Sequence, residues 1–268
     1  LTSEAAARLD SFFHCFTPQA RPLLLLDYDG TLAPFRVDRF QSRPWAGLRP
    51  LLERIQIEGR TRMAIITGRP AAEIAPMLAL TTPIEVWGLH GAERLYPDGH
   101  RVLEQAPAAT QARLEELRVE LKRDAFGGLF EDKANGVVMH WRGLSRNRQA
   151  GIERQTRELF EPLALMEGLA LLEFDAGLEL RVGRNKGGAV EAILAEEAPS
   201  APAAYLGDDL SDESAFRSIN KLGPRGLSVL VRSKQRETAA AIWLRPPREL
   251  LAFLERWIEA FAGSGKNL

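Results

Sequence analysis

Disulfides are the first thing this chain lacks. Its 268 residues include one cysteine, Cys15, so no intrachain bridge can form. That usage fits a cytoplasmic setting. No apolar run approaches the ~20 residues of a membrane-spanning helix, so no membrane partner is expected. An excess of one charge is missing too. Thirty-five basic and 36 acidic residues leave a formal net charge of −1, with no long basic run. Nucleic acid is not an expected partner, because neutralising phosphates takes clustered cations. Lysine is scarce, at six of the 35 basic residues. Arg carries the generic positive charge, so a Lys inside a motif stands out. The opening Leu1-Thr2-Ser3-Glu4-Ala5 has no Met and is acidic where a signal peptide is basic, so N-terminal trimming and no export signal are expected. Repeats and low-complexity segments are absent, and residues 263–268 read as a loose tail.

What is present is a set of short apolar runs that stop at small or polar residues. Leu23-Leu24-Leu25-Leu26 ends at Asp27, and residues 63–66 end at Thr67-Gly68-Arg69. Residues 84–87 end at Gly88-Leu89-His90-Gly91, 203–206 at Gly207-Asp208-Asp209, and 227–231 at Arg232-Ser233. Helical patterns over 48–58, 71–80 and 188–197 separate many of them. A four-leucine run, apolar on both faces, predicts a strand covered on both sides. Strand–helix alternation predicts an α/β fold with a Rossmann-like parallel-sheet core.

The middle of the chain breaks this rhythm. A charged amphipathic helix over 107–126 is followed by strand patterns at 128–133 and 136–142. A second helix over 146–165 leads to strands at 169–174 and 178–182. This α-β-β-α-β-β order predicts a smaller α+β cap domain, 105–183, inserted into a discontinuous core of 1–104 and 184–268.

Four elements carry chemistry. In Asp27-Tyr28-Asp29-Gly30-Thr31-Leu32, two carboxylates lie one residue apart where a buried strand stops. Ligands of parallel sheets bind beyond the carboxyl ends of strands. Charges placed there need a cation or hydrogen bonds to compensate them. Asp27 is placed as nucleophile or metal ligand, and Asp29 reaches the same space. Thr67 offers a hydroxyl to a phosphoryl oxygen, or else caps a helix starting near Pro70. Lys186 opens the 188–197 helix, where a cation opposes the helix dipole and makes most sense beside an anion. Last, Gly207-Asp208-Asp209-Leu210-Ser211-Asp212-Glu213 gathers acids of the kind that hold Mg²⁺ and its waters. Asp208 is the first choice for a direct ligand and Asp209 and Asp212 the second. Ser211 is also a cap for the next helix, with acids suiting its first turn. Two look-alikes fail. Residues 263–266 (Gly-Ser-Gly-Lys) lack the first glycine and final Ser/Thr of a P-loop, and Gly30 comes too early for a calcium loop.

Taken together, Asp27–Leu32, Thr67-Gly68, Lys186 and Gly207-Asp208-Asp209 resemble the haloacid dehalogenase superfamily of phosphohydrolases. A closer resemblance, to the trehalose-6-phosphate phosphatase family, is carried by Asp27 through Phe35, Trp87-Gly88-Leu89-His90-Gly91-Ala92-Glu93, Glu131-Asp132-Lys133, His140-Trp141-Arg142 and Glu179-Leu180-Arg181. The resemblance implies Asp27 as nucleophile and Asp29 as general acid/base, with Thr67 and Lys186 holding the phosphoryl group. It implies Mg²⁺ on Asp27, the Asp29 carbonyl and Asp208, with Asp209 and Asp212 behind them. Gly68, Arg69 and His90 would complete the substrate site, and Glu131, Lys133 and Glu179 would contact the sugar. A sugar phosphate is the implied small-molecule partner, and functional coupling to a trehalose-phosphate synthase follows from the same likeness.

Strand alternation supports the sugar contacts independently. Glu131 with Lys133, His140 with Arg142, and Glu179 with Arg181 each share a face, while Val137, Met139, Leu178 and Leu180 take the other. Such a polar face suits sugar hydroxyls, or is simply the solvated side of an antiparallel sheet. Two other functions stay open: a phosphatase for another sugar phosphate, of mannosyl-3-phosphoglycerate or sucrose phosphate type, and a non-catalytic sugar-phosphate sensor.

Overall fold

The computed structural model describes residues 2–17, 19–36, 41–123, 128–133, 136–174 and 176–262. The tail at 263–268, with its P-loop look-alike, lies outside them. The chain divides into two compact units, Leu1–Val102 with Lys186–Leu268, and Leu103–Asn185.

In chain order the first half of the larger unit runs α1 Ser3–Phe13, β1 Leu23–Leu26, α2 Leu48–Glu58, β2 Arg62–Ile66, α3 Ile74–Leu78, β3 Glu85–Gly88, β4 Glu93–Leu95 and β5 Arg101–Leu103. The smaller unit follows with α4 Ala108–Arg123, β6 Phe130–Lys133, β7 Gly136–His140, α5 Arg146–Ala164, β8 Leu169–Phe174 and β9 Gly177–Val182. The chain then returns through α6 Lys186–Ala195, β10 Ala203–Gly207, α7 Glu213–Asn220, β11 Gly226–Val231, β12 Ile242–Leu244 and α8 Arg248–Ala262.

The larger unit holds one sheet in the order β12-β11-β10-β1-β2-β3-β4-β5. From β12 to β3 every neighbouring pair is parallel, and β4 adds to β3 antiparallel. The four leucines of β1 are all fully buried. Leu24 and Leu26 join one core with Phe12, Leu52 and Trp257, whereas Leu23 and Leu25 join the other with Val190, Ile193 and Phe216. This is the period-2 alternation of a strand with both faces covered. It puts Asp27, Thr67 and Asp208 just past the carboxyl ends of the adjacent strands β1, β2 and β10.

The smaller unit is a four-stranded antiparallel sheet, β6-β7-β9-β8. Val137, Met139, Leu178 and Leu180 pack with Leu114, Leu117 and Phe160 of its two helices. The opposite face therefore carries the polar residues.

Several details differ from the sequence-based expectations. The helix expected over 71–80 is a 3-10 turn, Ala71–Glu73, followed by the short α3, which ends at left-handed Ala79. The β4–β5 extension has no counterpart among the expected strands. β7 stops at His140, so Arg142 lies past the strand and does not share its face. α6 starts two residues earlier than expected, which places Lys186 in its first turn. The end of the helix expected over 107–126 falls partly outside the described residues.

Candidate active site

The loop after β1 is built to expose two carboxylates. Asp27 N–H donates to Leu206 O, continuing the ladder with β10, at 2.9 Å. Gly30 then turns the chain with φ +82° and donates to Ala33 O. A side chain there is excluded twice over. Left-handed backbone is costly for L-residues, and a Cβ would sit 2.0 Å from Asp208 Oδ2. Gly30→Ala is accordingly expected to displace Asp208, lower kcat at least ~10-fold and cost about 1–2 kcal/mol of stability through the left-handed backbone, checked by steady-state kinetics beside a thermal melt. Downstream, Tyr28 Oη donates to Ser42 O and Trp45 Nε1 to Thr31 O, tying the loop to the core.

Both oxygens of Asp27 are held. Lys186 Nζ lies 2.7 Å from Oδ1, and Thr31 Oγ1 donates to Oδ2 at 3.1 Å. The same Lys186 ammonium lies 2.7 Å from Asp212 Oδ1. Asp212, fully buried, also accepts from Tyr205 Oη and from the backbone N–H groups of Asp208 and Asp209. It is saturated, and it anchors the Asp208 turn from behind. Asp209, not Ser211, caps the following 3-10 turn, in a reciprocal capping box with Asp212.

Charge is out of balance here. Carboxylate oxygens of Asp27, Asp208 and Asp212 all lie within 4.8 Å of one another. Lys186 is the one cation bonded into that trio among the described residues. Burial pushes the Asp27 carboxyl up to about 7, against the pull of Lys186. Burial, with Asp27 and Asp212 close by, pushes Asp208 up to about 9. For Lys186, burial opposes the charge, but Asp212 and Asp27 outweigh it and hold the ammonium above the ordinary lysine range. Lys186 alone does not balance three acids, and with Asp212 already saturated, Asp27 and Asp208 offer a hard oxygen donor pair that fits Mg²⁺.

Asp29 has a different environment. Arg69 grips its carboxylate with two bonds, Nε to Oδ2 at 2.6 Å and Nη2 to Oδ1 at 2.7 Å. Arg69 is expected from the resemblance to face substrate; here its side edge is engaged by Asp29. Thr67 is buried, and its hydroxyl accepts from Arg69 N–H. His90 N–H donates to Thr67 O, and Leu89 N–H to Arg69 O. Leu89, His90 and Gly91 all have positive φ. That backbone lays the His90 ring against Gly68, where a Cβ would lie 2.7 Å from Nε2. Asp27, Asp29, Thr67, Gly68, Arg69, His90, Lys186, Asp208 and Asp209 all line one cavity of about 350 Å³, together with Phe35, Arg36 and Ser211.

The remaining sequence candidates lie on the polar face of the smaller sheet. Glu131 and Glu179 both pair with Val138, one from each side. Lys133 Nζ is 3.1 Å from Glu179 Oε2, and His140 Nε2 is 2.8 Å from Glu131 Oε2.

Two arginines escape the sequence motifs. Arg232 Nη1 donates to Asp208 O at 3.1 Å, and Arg236 Nη2 to Asp209 O at 2.8 Å. They fix the backbone beneath the acidic turn. The only signal for them in the sequence is a basic residue where the neighbouring strand ends.

The trehalose-phosphatase family model matches residues 25–246. The chain belongs to the trehalose-phosphatase family. It is 30% identical over 247 residues to the trehalose-phosphate phosphatase of Mycobacterium ulcerans, covering 88% of this chain and 61% of that protein. It thus spans less than two thirds of that relative's length. Among solved structures, the Aspergillus fumigatus trehalose-6-phosphate phosphatase superposes with a TM-score of 0.75 at 23% identity, covering 94% of this chain and 97% of that one. A haloacid dehalogenase-like hydrolase from B. subtilis gives 0.60 at 15% identity, covering 87% and 98%. These structural likenesses establish a haloacid dehalogenase-like fold for this family member. No helix among its described residues is long and apolar enough to cross a membrane.

Proposed function

We propose that this trehalose-phosphatase family member hydrolyses trehalose 6-phosphate to trehalose and phosphate in a Mg²⁺-dependent reaction through an aspartyl phosphate. The observation that carries the reading is the Asp27 carboxylate, buried at a strand end and clamped by Lys186 and Thr31 in a cavity that Asp29 also lines. A pure binder of sugar phosphates has no use for a carboxylate where a dianion must sit.

In the proposed reaction Asp27 attacks phosphorus, and the bond to the sugar oxygen breaks. Asp29 gives that oxygen a proton and later takes one from the water that cleaves the acyl phosphate. Lys186 stays charged and offsets repulsion between carboxylate and phosphate. Thr67 and the neighbouring backbone position phosphoryl oxygens. Asp29 is free to act once Arg69 releases it, so arrival of substrate must compete for that guanidinium. Asp27 and Asp208, with the Asp29 carbonyl, would hold Mg²⁺, and Asp209 would orient its waters. The bound ion supplies charge neutralisation for the transferring phosphoryl group. Sugar recognition belongs in this reading to Glu131, Lys133 and Glu179, with His90 beside the phosphoryl site. The smaller unit is then the specificity cap and the larger one the phosphatase core. A cytoplasmic setting and coupling to a trehalose-phosphate synthase, which would supply the substrate, complete the proposal.

Phosphate release tests it. The panel is trehalose 6-phosphate, sucrose 6-phosphate, mannosyl-3-phosphoglycerate and glucose 6-phosphate, each with Mg²⁺ and with EDTA. Trehalose 6-phosphate is expected to lead in kcat/KM, with EDTA removing activity. A different leading substrate would reassign the cap's specificity, and no release from any of the four would favour the sensor.

A further inference from the structure

The polar face of the smaller sheet carries an arginine that the proposed chemistry leaves unused. Arg181 on β9 is 4% exposed. Its direct neighbours across the sheet, Gly136 on β7 and Ala170 on β8, are both small. Nη1 lies 3.9 Å from Glu179 Oε1, too far for a hydrogen bond. Among the described residues, Nε and Nη2 have no hydrogen-bond partner.

These two nitrogens form one edge of the guanidinium, with N–H bonds that point the same way. Arg69 uses the same edge to hold both oxygens of Asp29. A guanidinium does not shed its proton in a protein, and burying one without acceptors is costly. Burial acts against the Arg181 charge, and Glu179 offsets it only in part. An edge kept at that cost calls for a ligand with two adjacent oxygens.

The surroundings select the ligand. Glu179 and Glu131 are acceptors, and Lys133 is a donor 3.1 Å from Glu179. Carboxylates beside the site repel a phosphate but accept hydrogen bonds from hydroxyls, which also accept from Arg. We propose that the Nε/Nη2 edge of Arg181 binds two vicinal hydroxyl oxygens of the substrate's sugar, with Glu179 accepting a hydrogen bond from one of them. This deepens the sugar-phosphatase reading and rests on it. The edge is shielded from solvent here, so the hydroxyls reach it only once it becomes accessible.

The test uses the full chain and the variants Arg181→Lys, which keeps charge but loses the fork, and Arg181→Met. Trehalose and inorganic phosphate serve as probes, each as an inhibitor of sugar-phosphate hydrolysis, and trehalose also by calorimetry without turnover. Both variants are expected to weaken trehalose binding at least 10-fold and raise KM for the sugar phosphate similarly. Phosphate inhibition should stay within about twofold, and the Arg181→Met melting temperature should hold or rise, because an unpaired buried charge is gone. Unchanged trehalose affinity overturns the proposal, as does a loss confined to phosphate, which would give the edge to phosphoryl oxygens. A large drop in melting temperature in both variants would make Arg181 structural. If the unsubstituted chain hydrolyses no sugar phosphate, the functional reading fails, while calorimetry with trehalose still judges Arg181.

Discussion

Asp27→Asn is expected to lower kcat by ~10⁴-fold or more while the melting temperature holds or rises. The amide keeps the shape of the carboxylate but cannot attack phosphorus. Water attacking directly would have to approach a phosphate dianion without the activated group, and monoester hydrolysis is among the slowest uncatalysed reactions. Stability moves the other way because Asp27 is not content as an anion. Burial pushes its carboxyl up to about 7 against the pull of Lys186, and the nearby Asp212 carboxylate adds to the push. A carboxyl whose folded pKa lies above its unfolded value weakens the fold as pH rises through that window. Replacing it with a neutral isostere removes the penalty, so any gain should be larger at pH 8 than at pH 5 in EDTA. Lys186 keeps Asp212 as a partner in the variant, so the substitution strands no cation. The check is kcat beside a pair of melts at the two pH values.

Lys186→Met should damage both activity and stability. The ammonium is buried and 2.7 Å from both Asp27 and Asp212. Removing one partner of a buried ion pair costs about 3–5 kcal/mol, because the surviving charge has nowhere to go. For a chain of this size that lowers the melting temperature by roughly 6–20 °C. Mg²⁺ should recover part of the loss, since a second cation can share Asp27 with Asp208. Activity is expected to fall about 10³-fold even well below the melting point, because one preorganised charge facing the phosphoryl group is gone. A melt within about 2–3 °C of the parent, roughly the shift for 1 kcal/mol, would contradict the central role given to this lysine.

The sequence is informative where local pattern decides the structure. Leu23–Leu26 could be apolar on both sides only in a covered strand, and its residues do divide between two cores. Lysine's rarity makes Lys186 conspicuous. The α-β-β-α-β-β order of the middle segment also survives in the structure, with small shifts at the ends. What stays hidden depends on tertiary approach. In sequence, Asp212 is a second-choice metal ligand that also suits a first helical turn, and its full burial behind the site is not visible there. It is fully buried because Gly207 has no side chain, and a Cβ there would lie 2.4 Å from the Asp212 carboxyl carbon. The Arg69–Asp29 pair joins residues 40 apart, and Arg236 reaches Asp209 from 27 residues away. No spacing rule links such positions. The β4–β5 extension is different, because Asp98-Gly99 between the two runs is a hairpin-turn signal present in the sequence itself. Ser211 illustrates a competition: it and Asp209 are both good caps, and the capping box with Asp212 decides for Asp209.

The most direct test is to trap the covalent step. The protein is mixed with ³²P-labelled trehalose 6-phosphate and Mg²⁺, quenched in acid within milliseconds, and digested for peptide mapping. The account predicts hydroxylamine-labile label on the peptide containing Asp27, and none in Asp27→Asn. Rapid turnover with no labelled protein at any quench time, or label on a peptide without Asp27, would contradict it.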